Sequence, residues 1–234
     1  MKKILFTLGF IAASISGFAQ SGGSTVNKAI NSASHSRDFL MIQYSYDAWA
    51  GAPDSIKTGF NRGFNIALMY DFPIKQSHFS LAAGLGISTS GVFLKDHRID
   101  MSKAAGTSEK INFIKDGYYS KFKVATTYLE IPIEFRYREV ADNANKGFKA
   151  SLGVKAGLLA NAHTKGKNSV GGEKNLDKVQ NKRFFNSWRF AATARVGYGN
   201  FSLFGSYNLS PIFKENTGQG DIRPYSIGIC LSGL

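Results

Sequence analysis

The stretch WRFAATARVGYGNFSLFGSY, residues 188–207, decides how this chain folds. Trp188, Phe190, Ala192, Ala194, Val196 and Tyr198 fall on one face, and Arg189, Ala191, Thr193, Arg195 and Gly197 on the other. Beyond Gly199-Asn200, Phe201, Leu203, Gly205, Tyr207 and Leu209 continue the apolar face against Ser202, Ser206, Asn208 and Ser210, with Phe204 as the one exception. A period of two hinged on a two-residue Gly-Asn connection predicts an antiparallel hairpin. Its apolar face carries aromatics at the ends and small or aliphatic groups between. That is the pattern of a strand with lipid outside and a polar interior.

Working outward, the same alternation recurs until eight strands are counted. The first runs from Phe39 to about Trp49, with Leu40, Ile42, Tyr44 and Tyr46 on one side. The second, Gly63 to Ile74, sets Phe64, Ile66, Leu68, Tyr70 and Phe72 against Asn65, Ala67, Met69 and Asp71, and Lys75-Gln76-Ser77 makes a short turn. The third, His78 to Leu94, sets Phe79, Leu81, Ala83, Leu85 and Ile87 against Ser80, Ala82, Gly84, Gly86 and Ser88. The fourth, Phe122 to Arg138, alternates Leu129, Ile131, Ile133, Phe135 and Tyr137 with Tyr128, Glu130, Pro132, Glu134 and Arg136. The fifth runs from Gly147 to about His163, the opening hairpin supplies two more, and Ile222 to Leu231 closes the set. Connections alternate between longer (50–62, 95–121, 165–187, 214–221) and shorter (75–77, 139–146, 199–200), as outer-membrane barrels require. The expected fold is an all-β, eight-stranded antiparallel up-and-down transmembrane β-barrel over residues 39–234.

The N-terminus says where such a barrel is used. Lys2 and Lys3 precede an apolar run from Ile4 to Ile15 and a small-x-small site at Gly17-Phe18-Ala19, which reads as a signal peptide (1–19) cleaved after Ala19. Residues 20–38, rich in Ser, Gly, Asn and Ala, read as a flexible periplasmic lead-in. An even strand count then puts both barrel termini on the short-turn side, the periplasm, with the protein in the outer membrane. Twenty-five glycines, five prolines and 13% aromatics suit many strands with tight turns. The single cysteine, Cys230, cannot form an internal disulfide and reads as structural.

Net charge falls from +13 to about +11 with the loss of Lys2 and Lys3, and export argues against nucleic acid as the partner. Segment 95–121 holds Lys103, Lys110 and Lys115, and segment 165–187 holds Lys167, Lys174, Lys178 and Lys182. Both read as solvated loops facing outer-membrane lipid and lipopolysaccharide. Magnitude then decides which strand face meets lipid. A Lys or Arg near the bilayer midplane costs about 2–4 kcal/mol, so exposing Arg136, Lys155 and Arg195 together would consume most of a typical stability of about 5–15 kcal/mol. The expected lumen cluster is therefore Glu130, Glu134, Arg136, Lys155, Arg189 and Arg195, with the carboxylates pairing the cations. Tyr70, Tyr137, Trp188 and Tyr198 are the expected membrane girdle. Eight strands leave just enough room for side chains, so a filled interior is expected, not a pore.

The run Tyr128-Leu129-Glu130-Ile131-Pro132-Ile133-Glu134-Phe135-Arg136-Tyr137 resembles the LEIP strand of the PorT-like outer-membrane β-barrels, porin-family proteins of Bacteroidetes. Ile222 to Ile229 is similar to that family's closing strand. The resemblance implies an integral outer-membrane barrel and, for PorT itself, a role linked to type IX protein secretion, so an envelope or secretion-system protein is an expected partner. Two features depart from the simple pattern. The sequence ends Leu231-Ser232-Gly233-Leu234 without the usual terminal aromatic, and Pro132 predicts a local bulge because it cannot donate to a strand ladder.

Some small outer-membrane barrels are enzymes, and a catalytic grouping would need a nucleophile, a base and an orienting acid at one place on the rim. Ser88 or Thr89 with His163, oriented by Asp96 or Asp100, is the one grouping that strand tops bring near the rim, and nothing in its spacing singles it out. His35, His78, His97 and His163 are scattered, and neither metal-ligand spacing nor a complete dinucleotide motif occurs. The expectation is a non-enzymatic barrel with no catalytic, cofactor or metal site, and a structural, accessory or partner-binding role in the envelope. The alternatives are a small outer-membrane rim enzyme and a soluble exported lipocalin-like ligand-binding barrel.

Overall fold

Side chains that alternate along a strand need two different surroundings, and closing a sheet on itself supplies both without leaving an edge. The computed structural model describes residues 39–74, 77–100, 110–115, 117–140, 143, 145–170, 173–219 and 221–233. The signal peptide, the lead-in through Asp38, Lys75-Gln76 and Lys103 lie outside them. Eight strands form a closed antiparallel barrel: β1 (Leu40–Ala50), β3 (Arg62–Pro73), β4 (Phe79–Lys95), β7 (Lys121–Arg138), β8 (Phe148–Val170), β10 (Trp188–Tyr198), β11 (Phe201–Asn208) and β12 (Arg223–Ser232). Each pairs with its sequence neighbour, and β12 returns to β1 with Met41 opposite Ser232 and Ala50 opposite Arg223. The start of β1 and the end of β12 therefore lie at the same end, that of the short turns.

The hairpin read first is present as expected. Tyr198 faces Phe201 across the two-residue turn, and Gly199 sits at φ +58°, a conformation that glycine adopts at little cost. The outer face is apolar over the middle of the wall: Leu85 and Leu152 are each 68% exposed, while inward-facing Arg136 and Glu134 are 2% and 3% exposed. A lipocalin-like soluble barrel would have these faces the other way round. In water, each of those outward side chains would forgo about 1.5–3 kcal/mol of burial.

Pro132 does not sit at a bulge. The ladder between β4 and β7 keeps one register but is interrupted between Ala83↔Ile133 and Gly86↔Glu130, opposite Ile131-Pro132. On the other side Pro132 still faces Lys155. The missing donor is thus absorbed as a gap in one ladder. The register shift in β7 comes earlier, at Thr127/Tyr128 against β8.

The basic segments expected to be solvated loops are also more structured than that reading. Within 95–121, β5 (His97–Asp100) pairs with β6 (Asn112–Lys115) as a separate ribbon. Segment 165–187 continues β8 to Val170 and returns as β9 (Glu173–Gln180), an arm projecting past the barrel wall. A short β2 (Lys57–Thr58) pairs with the top of β4, and Glu215–Thr217 forms one turn of 3-10 helix. The reason lies in apolar residues that a count of lysines passes over. Ile99, Ile111, Phe184, Phe185, Ile212 and Phe213 are buried in one cluster with inward residues at the strand tops, among them Trp49, Val92, Phe122 and Leu159.

Candidate functional site: the sealed barrel interior

Inward positions of β7, β8 and β10 stack charged residues at successive levels, because every second residue of a strand points the same way. All six expected lumen residues face the interior, and the structure divides them between two carboxylates. Glu134 Oε2 accepts from Arg136 Nε and from Arg195 Nη2, each at 2.8 Å. Glu130 pairs with Arg189 through Oε1, and its Oε2 is 3.8 Å from Lys155 Nζ. The Arg189 guanidinium lies 4.3 Å from the centre of the Tyr128 ring and donates to Ser88 Oγ at 2.9 Å. These charges are buried within the barrel and paired, the arrangement in which desolvation is best offset.

Further members of the network were not singled out from sequence. Asp71 on β3 pairs with Arg138, lies 3.6 Å from Arg136 Nη1 and accepts from Ser80 Oγ at 2.9 Å. Ser232 Oγ accepts from Lys149 Nζ at 2.9 Å and from Arg195 Nη1 at 3.1 Å, tying β8 and β10 to the closing strand. Gln43 Oε1 accepts from Asn65 Nδ2 and, at 3.4 Å, from Lys155 Nζ. Nearer the strand tops, Asp47 accepts from Ser45 Oγ at 2.7 Å and from Ser90 Oγ. Alternation alone places Asp71, Lys149 and Asp47 inward. What it does not reveal is which of them meet, since that depends on the stagger between strands.

On the β1, β3, β4, β11 and β12 side of the interior sits an apolar layer of Met41, Ala67, Met69, Ala82, Phe204 and Cys230. Phe204, the exception to the polar face in sequence, is explained by this layer: it is a filler, 4% exposed. Cys230 is free and faces the interior. Above the charges, a polar space lined by Asp47, Asn65, Ser88, Thr126, Arg189 and Asn208 measures only about 20 Å³, room for about one water. The apolar cap then closes the long-connection end, with Phe213 against Trp49 at 5.8 Å and Phe185 at 5.1 Å.

The grouping considered for catalysis is not brought together. Ser88 points inward to Arg189, Thr89 points outward and donates to the Phe64 carbonyl, and His163 lies on the outer face of β8. His78 and His97 each contact a backbone carbonyl, of Arg138 and Lys95 respectively, and His35 lies outside the described residues. Among the described residues no group of three or more His, Cys, Asp or Glu has metal-binding geometry.

The four expected girdle residues all lie on the outer face. Trp188 sits at the long-connection end of β10 and Tyr198 at its short-turn end, 59% and 72% exposed. Tyr70 and Tyr137 belong to the short-turn end, where Phe79 stacks on Phe135 at 5.3 Å and touches Tyr137. Tyr137 and Phe148 continue this band onto β8. A band of rings at the end of an apolar wall matches the aromatic belts of barrels in membranes.

Comparison with known proteins agrees with this geometry. No curated protein matches the chain. A sequence family described as "Outer membrane protein beta-barrel domain" matches residues 7–214, all of the barrel except the closing strand β12, whose pairing with both β11 and β1 completes the wall. The chain belongs to the outer-membrane protein β-barrel domain family.

Proposed function

We propose that this protein is a sealed outer-membrane barrel of PorT-like type, neither a pore nor an enzyme, with a structural or accessory role exerted through its extramembrane arms. One observation carries the reading: the interior is closed at every level, by ion pairs at Glu130 and Glu134, by the Phe204 layer, and by the cap around Phe185 and Phe213. A solute has no path through such an interior. What remains available to partners is the outer wall and the basic β5–β6 and β8–β9 arms. In this reading the signal peptide is cleaved after Ala19 and the short-turn end faces the periplasm. The arms then face outward, toward lipopolysaccharide and any envelope or secretion-system protein. The LEIP-like strand favours the PorT-like assignment because its inward residues Glu130, Glu134 and Arg136 build the charged network, with Pro132 buried between the two carboxylates.

Planar-bilayer recording tests the sealed interior: no steady conductance is expected, and a reproducible open-channel current would refute it. Co-purification from intact outer membrane tests the accessory role, with a stoichiometric envelope protein expected. Recovery of the barrel with lipid alone would remove the protein-partner part of the proposal.

A further inference from the structure

We propose that the outer wall carries a binding site for a phosphate-bearing membrane lipid, with an acyl chain in a trough across β3, β4, β7, β8 and β10 and the phosphate on a lysine ladder directly above it. This deepens the reading above and rests on its lipid-facing outer wall.

The ladder is the first observation. Lys121 stands directly opposite Lys167, Lys123 opposite Lys165, and Lys165 opposite Lys178, so like charges face each other across three adjacent strands. Like charges in directly opposed positions destabilise a sheet. Among the described residues none of these lysines makes an ion pair. Asp177, an acid of the same arm, points to the other face, where its Oδ2 accepts from the Tyr119 hydroxyl at 2.9 Å. A cost repeated along the ladder and left uncompensated among the described residues calls for an external anion.

The local field agrees. Burial, reinforced by Arg62 and Lys165, holds the Lys123 ammonium below its usual range. His163 on the same face is lowered by burial and then by Lys178, Lys123 and Lys165. Arg62, Lys123, Lys165 and Lys178 thus form one positively charged patch just beyond the apolar wall, with His163 held neutral among them. Gly91 helps to shape it. The space a side chain would occupy there is taken by the end of Lys123, which leans from its own position, opposite Phe93, toward the membrane.

The trough is the second, independent observation. Ile66, Ile87, Leu129, Leu158 and Trp188 wall an outward-facing hollow of about 750 Å³, whose floor is lowered by Ala156. Thr89 at its upper edge lies two residues from Gly91 along β4, about 7 Å. The patch and the trough share strands β3, β4, β7 and β8. An apolar hollow ending under clustered cations matches a lipid with an anionic phosphate, while a neutral or zwitterionic lipid would leave the lysines uncompensated.

The test uses the full mature barrel folded in micelles, with native mass spectrometry as the readout and diphosphoryl lipid A as the probe. Dephosphorylated lipid A and inorganic phosphate serve as competitors. Lys123→Gln/Lys165→Gln/Lys178→Gln is expected to weaken retention of lipid A about a hundredfold, taking about a fivefold loss per cation near a membrane surface. Ala156→Phe, which fills the trough and leaves the cations in place, is expected to weaken it at least tenfold. Lys146→Gln/Lys214→Gln, on exposed lysines elsewhere, should leave it unchanged. A heat-shifted gel band verifies that each variant is folded. Equal retention of dephosphorylated lipid A, displacement by inorganic phosphate, or an unaffected triple variant would overturn the site. A chain that stays soluble and never enters micelles would instead overturn the membrane reading beneath it.

Discussion

Replacing Glu134 by Gln keeps the shape of the side chain and removes the one negative charge that two arginines share. Arg136 Nε and Arg195 Nη2 both donate to Glu134 Oε2 at 2.8 Å, and all three groups are nearly fully buried. Arg136 keeps Asp71 at 3.6 Å and Arg195 keeps the Ser232 hydroxyl at 3.1 Å, while each loses its 2.8 Å contact to the shared carboxylate. Removing one partner of a buried pair costs about 3–5 kcal/mol. Coulomb's law gives a similar figure, about 4 kcal/mol for charges 4 Å apart at an effective dielectric constant of 20. Against a typical stability of about 5–15 kcal/mol, the variant is expected to lose a third or more. Removing both charges, as Glu134→Leu/Arg195→Leu, is expected to recover all but about 1–2 kcal/mol, because the carboxylate and one of its two arginines leave together and Arg136 retains Asp71. Urea titration of folding into lipid vesicles, followed by gel mobility and tryptophan fluorescence, measures both. If Glu134→Gln costs under about 1 kcal/mol, or if the double variant is less stable than the sum of its singles, the ion-pair account of the interior is wrong.

Other perturbations probe other levels. Phe204→Ala is expected to cost about 3–5 kcal/mol by hollowing the layer around Met41, Met69 and Cys230, measured as a lower urea midpoint. Gly199→Ala places a Cβ at φ +58° in the β10–β11 turn, with an expected loss of about 1–2 kcal/mol by the same titration. His163 is held below the usual imidazole value by burial and then by Lys178, Lys123 and Lys165, so on acidification the unfolded chain binds its proton first. Its contribution is complete above the ordinary value of about 6.5 and is lost as pH falls from there toward the lowered folded value. An NMR titration of the ring should show the depressed value, and Lys178→Gln should raise it.

The barrel was legible in the sequence because lipid and lumen impose opposite chemistry on alternate residues, and Trp188 to Tyr207 shows that contrast over two complete strands. The inward set was legible for the same reason, down to Glu130, Glu134 and their four cations. Partner choice was not, since Glu134 meets Arg195 and Glu130 meets Arg189 through the stagger of strands far apart in the chain. Asp71 and Ser232 joined the network on the same grounds. Pro132 shows a different limit: a missing donor predicts a local irregularity but not whether it becomes a bulge or a gap. The cap was missed because Phe184-Phe185 and Ile212-Phe213 lie in short runs without period, the first inside a segment rich in lysine and asparagine and the second in a connection of mostly small and polar residues. Pairs such as Lys123 and Lys165 became visible only when the register set them side by side.

The account stands on the inside-out assignment of the wall, and a spin-label scan of β8 in lipid vesicles tests it most directly. With Cys230 replaced by Ser and a nitroxide placed singly at each position from 148 to 158, collision with oxygen dissolved in the bilayer is expected to alternate. Maxima should fall at 148, 150, 152, 154, 156 and 158, where Phe148, Leu152, Val154 and Leu158 face outward. Minima should fall at positions such as 151 and 155, where Ser151 and Lys155 face the filled interior. Maxima at 149, 151, 153, 155 and 157, or no alternation at all, would contradict it.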